Sequence, residues 1–147
     1  MKNLRPYGAP PYSIAVLHGG PGAAGEMAPV AREISSLGGV LEPLQTADSI
    51  DGQVEELRSS LERSADLPVS LIGFSWGAML AYVFAARFPA YINKLVLLSS
   101  GAFDEKYAEG IMTTRFGRLT EGEKMEMKAL IDVLGSNGKP ERLLSRS

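Results

Sequence analysis

Gly73-Phe74-Ser75-Trp76-Gly77 spells G-x-S-x-G, and His18-Gly19-Gly20-Pro21-Gly22 is a glycine-rich run that opens on the only histidine of the chain. A serine hydroxyl becomes a useful nucleophile only when a base takes its proton, and the carbonyl it attacks needs N–H donors for the charge that develops on oxygen. The first motif offers the hydroxyl. Glycine on both sides of Ser75 leaves room for a sharp, strained strand-to-helix turn, the nucleophile elbow, that lifts the side chain clear of the backbone. The N–H of Trp76, opening the next helix, points into the same space as one oxyanion donor. The second motif offers the other, because a loop this rich in glycine brings an amide of Gly19 or Gly20 close to a reacting carbonyl. Five-residue glycine patterns are weak in a chain with 16 glycines, and their weight comes from position: each directly follows an apolar strand and precedes a helix.

The elements that must position these loops alternate between short apolar runs and helical periodicities, the pattern of parallel strands joined by crossover helices. The first strand is Ser13 to Leu17, bounded by Pro10-Pro11 and the glycine loop, and a helix over about Glu26 to Leu37 ends at Gly38-Gly39. Val40 to Leu44 reads as a second strand, with Pro43 tolerated only near a sheet edge. Ser49 caps a second helix with Val54, Leu57 and Leu61 on one face. Val69 to Ile72 is the third strand, Met79 to Phe88 a nearly all-apolar helix stopped by Pro89, and Leu95 to Leu98 a fourth strand of the kind covered on both faces. The pattern then loosens through Gly101 to Gly117. Thr120 and Glu123 form a capping box for a last helix, with Met127, Leu130, Ile131 and Leu134 on one stripe and Gly135 just past its end. In the order 2-1-3-4 such a sheet reverses direction between strands one and three, and both glycine turns then border the same crevice. The expectation is a single α/β domain of about four mostly parallel strands with helices on both faces.

Composition narrows the chemistry. With 147 residues, 17 acidic against 15 basic side chains and no cysteine, the chain has neither a disulfide framework nor a thiolate site, and no Lys/Arg cluster for nucleic acid or an anionic membrane. No metal site and no cofactor are expected. The uncharged window Leu67 to Ala86 is interrupted by Pro68, Ser70, Gly73, Ser75 and Gly77 and changes character halfway, so it is not a membrane span. Met1 to Pro6 has no apolar signal region, and a cytoplasmic location follows as the expectation.

Two other readings compete. Gly20, Gly22 and Gly25 also spell G-x-G-x-x-G between a strand and a helix, with Glu42 placed to hold a ribose, as in a dinucleotide-binding unit; that reading leaves the Gly73 to Gly77 turn without a purpose. A catalytically silent module that binds a small molecule or a partner chain is the other.

His18-Gly-Gly-Pro-Gly22 together with Ser75-Trp76-Gly77 resembles the α/β-hydrolases, specifically the proline iminopeptidase type, over about Pro10 to Ser100. Residues 1–100 then form an incomplete hydrolase core and residues 101–147 are similar to the start of a lid with a C-terminal helix. The resemblance implies Ser75 as nucleophile, an oxyanion hole from Trp76 and the Gly19-Gly20 stretch, and a small-molecule ester, amide or short peptide as substrate. It also implies an acid and a histidine on loops after two further strands, which this chain ends before, and antiparallel strands ahead of Ser13, which are not apparent. Phe74 is bulkier than the residue common at that place. His18 is similar to a loop-organising histidine rather than the base, and Asp104, with Glu105, follows the fourth strand where some relatives carry their acid. An apolar fourth strand with nothing to cover it exposes an edge, so self-association into a homo-oligomer is expected.

Overall fold

The computed structural model describes residues 3–20 and 22–136, which form two compact units, one reaching to Gly101 and one from Ala102 onward. The first unit contains β1 (Leu4–Tyr7), β2 (Tyr12–Leu17), α1 (Ala28–Ile34), β3 (Gly39–Pro43), α2 (Ile50–Ser64), β4 (Val69–Phe74), α3 (Trp76–Arg87), a 3-10 turn (Pro89–Tyr91) and β5 (Ile92–Leu98). The sheet order is β1-β3-β2-β4-β5, with β1 antiparallel to β3 and every other pair parallel. The four strands expected from sequence therefore stand in their expected order, with one more at the edge.

That additional strand corrects the expectation that nothing antiparallel precedes the strand at Ser13. Leu-Arg-Pro-Tyr has no two-residue alternation and carries a proline, which an edge strand tolerates and a pattern search passes over. Its pairing also accommodates Pro43. The proline closes β3, opposite Leu4, where the ladder ends and a missing N–H costs nothing further. β3 itself is fully buried and lies one strand in from the edge.

Each face of the sheet recruits its own helices. Ala15, Leu17, Val69 and Leu71 point to one side, where Val54, Leu57 and Leu61 of α2 and Leu80, Ala81 and Phe84 of α3 bury them. Val16 and Val40 point to the other, under Met27 and Ala31. Burying a side chain of this size stabilises by roughly 1.5–3 kcal/mol. α2 starts where its cap was read, Ser49 Oγ accepting the Gly52 N–H at 3.1 Å. α1 is shorter than the periodicity suggests, because turns run through Glu26 and Met27 and the helix begins only at Ala28 with Pro29 in its first turn. α3 is longer, beginning at Trp76 instead of Met79. The uncharged window that mimics a membrane span is split between β4 and α3, and no helix among the described residues is long and apolar enough to cross a membrane.

β5 departs from its sequence pattern. A continuous apolar run argues for cover on both faces, yet β5 is the last strand of the sheet, and Leu95, Val96 and Leu98 are 36%, 40% and 42% exposed.

The second unit corrects the loosened stretch after Gly101. It contains α4 (Glu105–Gly117), capped by Asp104, which the internal Gly110 and the Thr113-Thr114 pair disguise as loop. α5 (Glu121–Ser136) carries the capping box as read: the Glu123 carboxylate accepts the Thr120 N–H at 2.8 Å, and this bond, with that from the Thr120 hydroxyl, holds the Glu123 carboxyl below its ordinary value. Gly135 lies within α5 instead of beyond it. On the expected stripe Leu130 and Ile131 are exposed, and Leu134's side chain lies outside the described residues.

Two measurements test the packing. Phe84 is fully buried, with ring centroids 5.2 Å from Phe88 and 5.9 Å from Tyr91, so Phe84→Ala is expected to cost about 3–5 kcal/mol in urea unfolding. Tyr7 of β1 donates its phenol to Glu42 Oε2 at 2.7 Å; burial first, then this bond and the carboxylate's charge, raise the phenol above its ordinary value of 10.0. A phenol harder to ionise in the folded state stabilises fully below pH 10 and loses that contribution as pH rises through the folded value. Stability should therefore fall above about pH 10, and Tyr7→Phe should flatten part of that fall while lowering stability at neutral pH.

Candidate functional site

The turn from β4 into α3 is made by Ser75, whose φ of 53° and ψ of −115° lie outside the regions open to most residues. Two close approaches account for the glycines that flank it. A Cβ on Gly77 would stand 2.5 Å from both the Leu17 and His18 carbonyl oxygens, and one on Gly73 would collide with the Gly77 carbonyl. The first contact is the informative one. It presses the opening of α3 against the end of β2, the strand that delivers the glycine-rich loop.

The two loops are neighbours. A Cβ on Gly19 would stand 3.2 Å from Ser75 Cβ and 3.2 Å from the Phe74 ring. From the other side, the Ser75 N–H donates to the Leu98 carbonyl at 2.9 Å, tying the elbow to the end of β5. Trp76 is held by its side chain: the indole N–H donates to Gln53 Oε1 at 3.0 Å, and the Gln53 amide donates to the Ala47 carbonyl. The Trp76 backbone amide thus sits at the N-terminus of α3 on a residue fixed through α2, where the helix's positive end favours developing negative charge.

The remaining sequence candidates are each engaged by other groups. His18 is fully buried; its Nδ1 lies 2.8 Å from the Gly19 carbonyl oxygen and its Nε2 accepts the Gln45 N–H at 3.4 Å. An acceptor beside one nitrogen and a donor beside the other assign the proton to Nδ1 and leave neither nitrogen for Ser75. His18 organises the loop. Gly20 has a φ of 24° and Pro21 lies outside the described residues. Asp104 belongs to the second unit, where it caps α4 by accepting the Lys106 N–H and pairs with the Lys106 ammonium at 2.9 Å.

Glu42, the would-be ribose ligand, is fully buried with one oxygen bonded to Tyr7 and 3.9 Å from the Arg5 guanidinium. α1 does not begin at the glycines but at Ala28. Neither feature of a dinucleotide unit, an open acidic residue or a helix starting at the phosphate, is present at these positions. Among the described residues no three or more His, Asp or Glu side chains converge where a metal could sit.

Two groups at the site carry no sequence signal. Glu26, in the turns before α1, accepts the Gly19 N–H at 2.9 Å. Beside it Glu26, Met27, Val30, Phe74, Leu98 and Ser99 line an apolar cleft of about 480 Å³, which flanks the elbow through Phe74 and Leu98. Ser99 is the second non-glycine residue with positive φ, at 48°, and directly follows the strand that anchors Ser75.

A family model described as the alpha/beta hydrolase fold matches residues 43–122. Among solved structures, VinJ superposes with a TM-score of 0.75 at 21% identity, over 95% of this chain and 53% of that one. The proline iminopeptidase of Mycobacterium smegmatis gives 0.69 at 21% identity with the same coverage, and the thioesterase domain from the curacin biosynthetic pathway 0.61 at 25%, over 76% of this chain and 46% of that one. The chain thus spans about half the length of these structures. No curated protein sequence matches it. The family match covers more than half of the 147 residues, including the elbow, and the chain belongs to the alpha/beta hydrolase fold family.

Proposed function

We propose that the chain carries the nucleophilic half of a serine hydrolase acting on ester or amide bonds. The observation that carries this reading is the abutment of Gly19 on Ser75 at an elbow with positive φ. It sets a strained hydroxyl, the helix N-terminus at Trp76 and a glycine-rich loop around one point. In the reaction Ser75 Oγ adds to the carbonyl carbon, and the carbonyl electron pair moves to oxygen, where backbone amides receive it. Collapse then expels an alcohol or amine and leaves an acyl-serine for water to hydrolyse.

The proton of Ser75 has no acceptor in His18, which is the only histidine of the sequence and is engaged through both nitrogens. The proposed reaction therefore needs a base other than His18. Without it, oxyanion stabilisation and binding alone leave about 10³–10⁴-fold over the reaction in water. The apolar cleft beside the elbow suits the hydrocarbon part of a small ester, amide or short peptide.

The test is labelling by a fluorophosphonate probe. The wild type is expected to label slowly but measurably at Ser75, and Ser75→Ala not at all. Equal signal from the two proteins would make the chain a catalytically silent binding module.

Self-association is the second part of the proposal. Leu95, Val96 and Leu98 lie on an edge strand with exposed apolar side chains, which favours pairing between copies. Light scattering should give a mass above 15.7 kDa that falls toward it on Val96→Lys; a wild-type monomer would contradict this.

A further inference from the structure

Gly19 and Gly20 compete for one role, the second oxyanion donor, and the hydrogen bonds of the loop separate them. A backbone amide has a single proton. That of Gly19 is committed to the Glu26 carboxylate at 2.9 Å, and the same oxygen stands 2.7 Å from where a Gly19 Cβ would be, so the carboxylate lies flush along this residue. Glu26 is itself exposed, and its Oε2 accepts this amide across seven residues of chain.

A second hold acts at the same end of the loop. Arg5 of β1 lies against Gly25, its guanidinium carbon 3.6 Å from where a Cβ would stand, and its terminal nitrogen is 3.9 Å from buried Glu42. His18 fixes the other end through both ring nitrogens. The loop is therefore pinned at residues 18–19 and 25–26. Between the pins it is closed by a turn in which the Ala23 N–H donates to the Gly20 carbonyl at 3.3 Å.

We propose that Glu26 is a positioning residue: by accepting the Gly19 N–H it seats Gly19 against Ser75 and leaves the Gly20 amide, with that of Trp76, as the oxyanion donors. The catalytic consequence rests on the Ser75 reading above; the hydrogen bond and its effect on the loop do not. What Glu26 supplies is an acceptor oxygen, so glutamine should replace it and alanine should not. Glutamine also removes a negative charge from beside the oxyanion, which can only help the amides.

The experiment compares wild type, Glu26→Gln and Glu26→Ala by amide NMR and by fluorophosphonate labelling. In wild type and Glu26→Gln the Gly19 amide should exchange slowly while the Gly20 amide exchanges fast; in Glu26→Ala the Gly19 protection should vanish. Labelling of Glu26→Gln should equal or exceed wild type, and Glu26→Ala should fall about tenfold or more, part of the 10²–10³ that loss of an oxyanion donor costs. A Gly19 amide unprotected in wild type, a protected Gly20 amide, or a Glu26→Gln variant that behaves like Glu26→Ala would each overturn the proposal, as would unchanged labelling in Glu26→Ala. If wild type does not label, the nucleophile reading fails, and the exchange pattern of the two glycines still decides the role of Glu26.

Discussion

The backbone of Gly77 rests on the carbonyls of Leu17 and His18 at a separation no side chain allows. This contact couples two loops that the parallel sheet would otherwise only bring to the same rim. With α3 starting one residue after the elbow and pressed onto the end of β2, Ser75 has a single place to stand, and the strain in its backbone is held by the strands on either side. A methyl group at residue 77 would lift α3 off β2, open the gap between Ser75 and Gly19, and cost packing along the whole apolar face shared with α2. The requirement for glycine is therefore steric.

Much of this was readable from residue order. Strand-forming runs that end in glycine turns, and the topological rule that places such turns at one crevice, give the parallel sheet order and the meeting of the two loops without coordinates. Caps at Ser49 and at Thr120 with Glu123 were readable for the same reason, since a cap is a local hydrogen bond between residues three apart. What escaped was what depends on the third dimension. β1 is recognisable only by what it pairs with, and α4 is held by a cap and its own backbone without an apolar stripe to announce it. Glu26 meets Gly19 seven residues away through irregular turns that follow no period. The burial of Glu42 reversed its meaning: a carboxylate read as facing a ribose is instead folded under Tyr7 and Arg5, where it braces the edge of the sheet.

β5 carries the opposite lesson. Its four apolar residues in succession describe a strand at the centre of a sheet, and they occupy its border. A sequence pattern reports the environment in which a segment is buried. For β5 that environment is not supplied by the described residues. The exposed edge and the elbow lie close together, because the Leu98 carbonyl that accepts the Ser75 amide belongs to this strand.

That proximity ties the chemistry to the edge. A chain that adds a parallel strand beside β5 along Ile92–Leu98 finishes next to the elbow, since parallel neighbours end at the same rim. A second copy brings no free imidazole, because its histidine is the His18 already locked between Gly19 and Gln45. On the nucleophile reading proposed above, self-pairing would thus bury the apolar border without supplying Ser75 a free imidazole, and burial of the edge and activation of the serine are separable events.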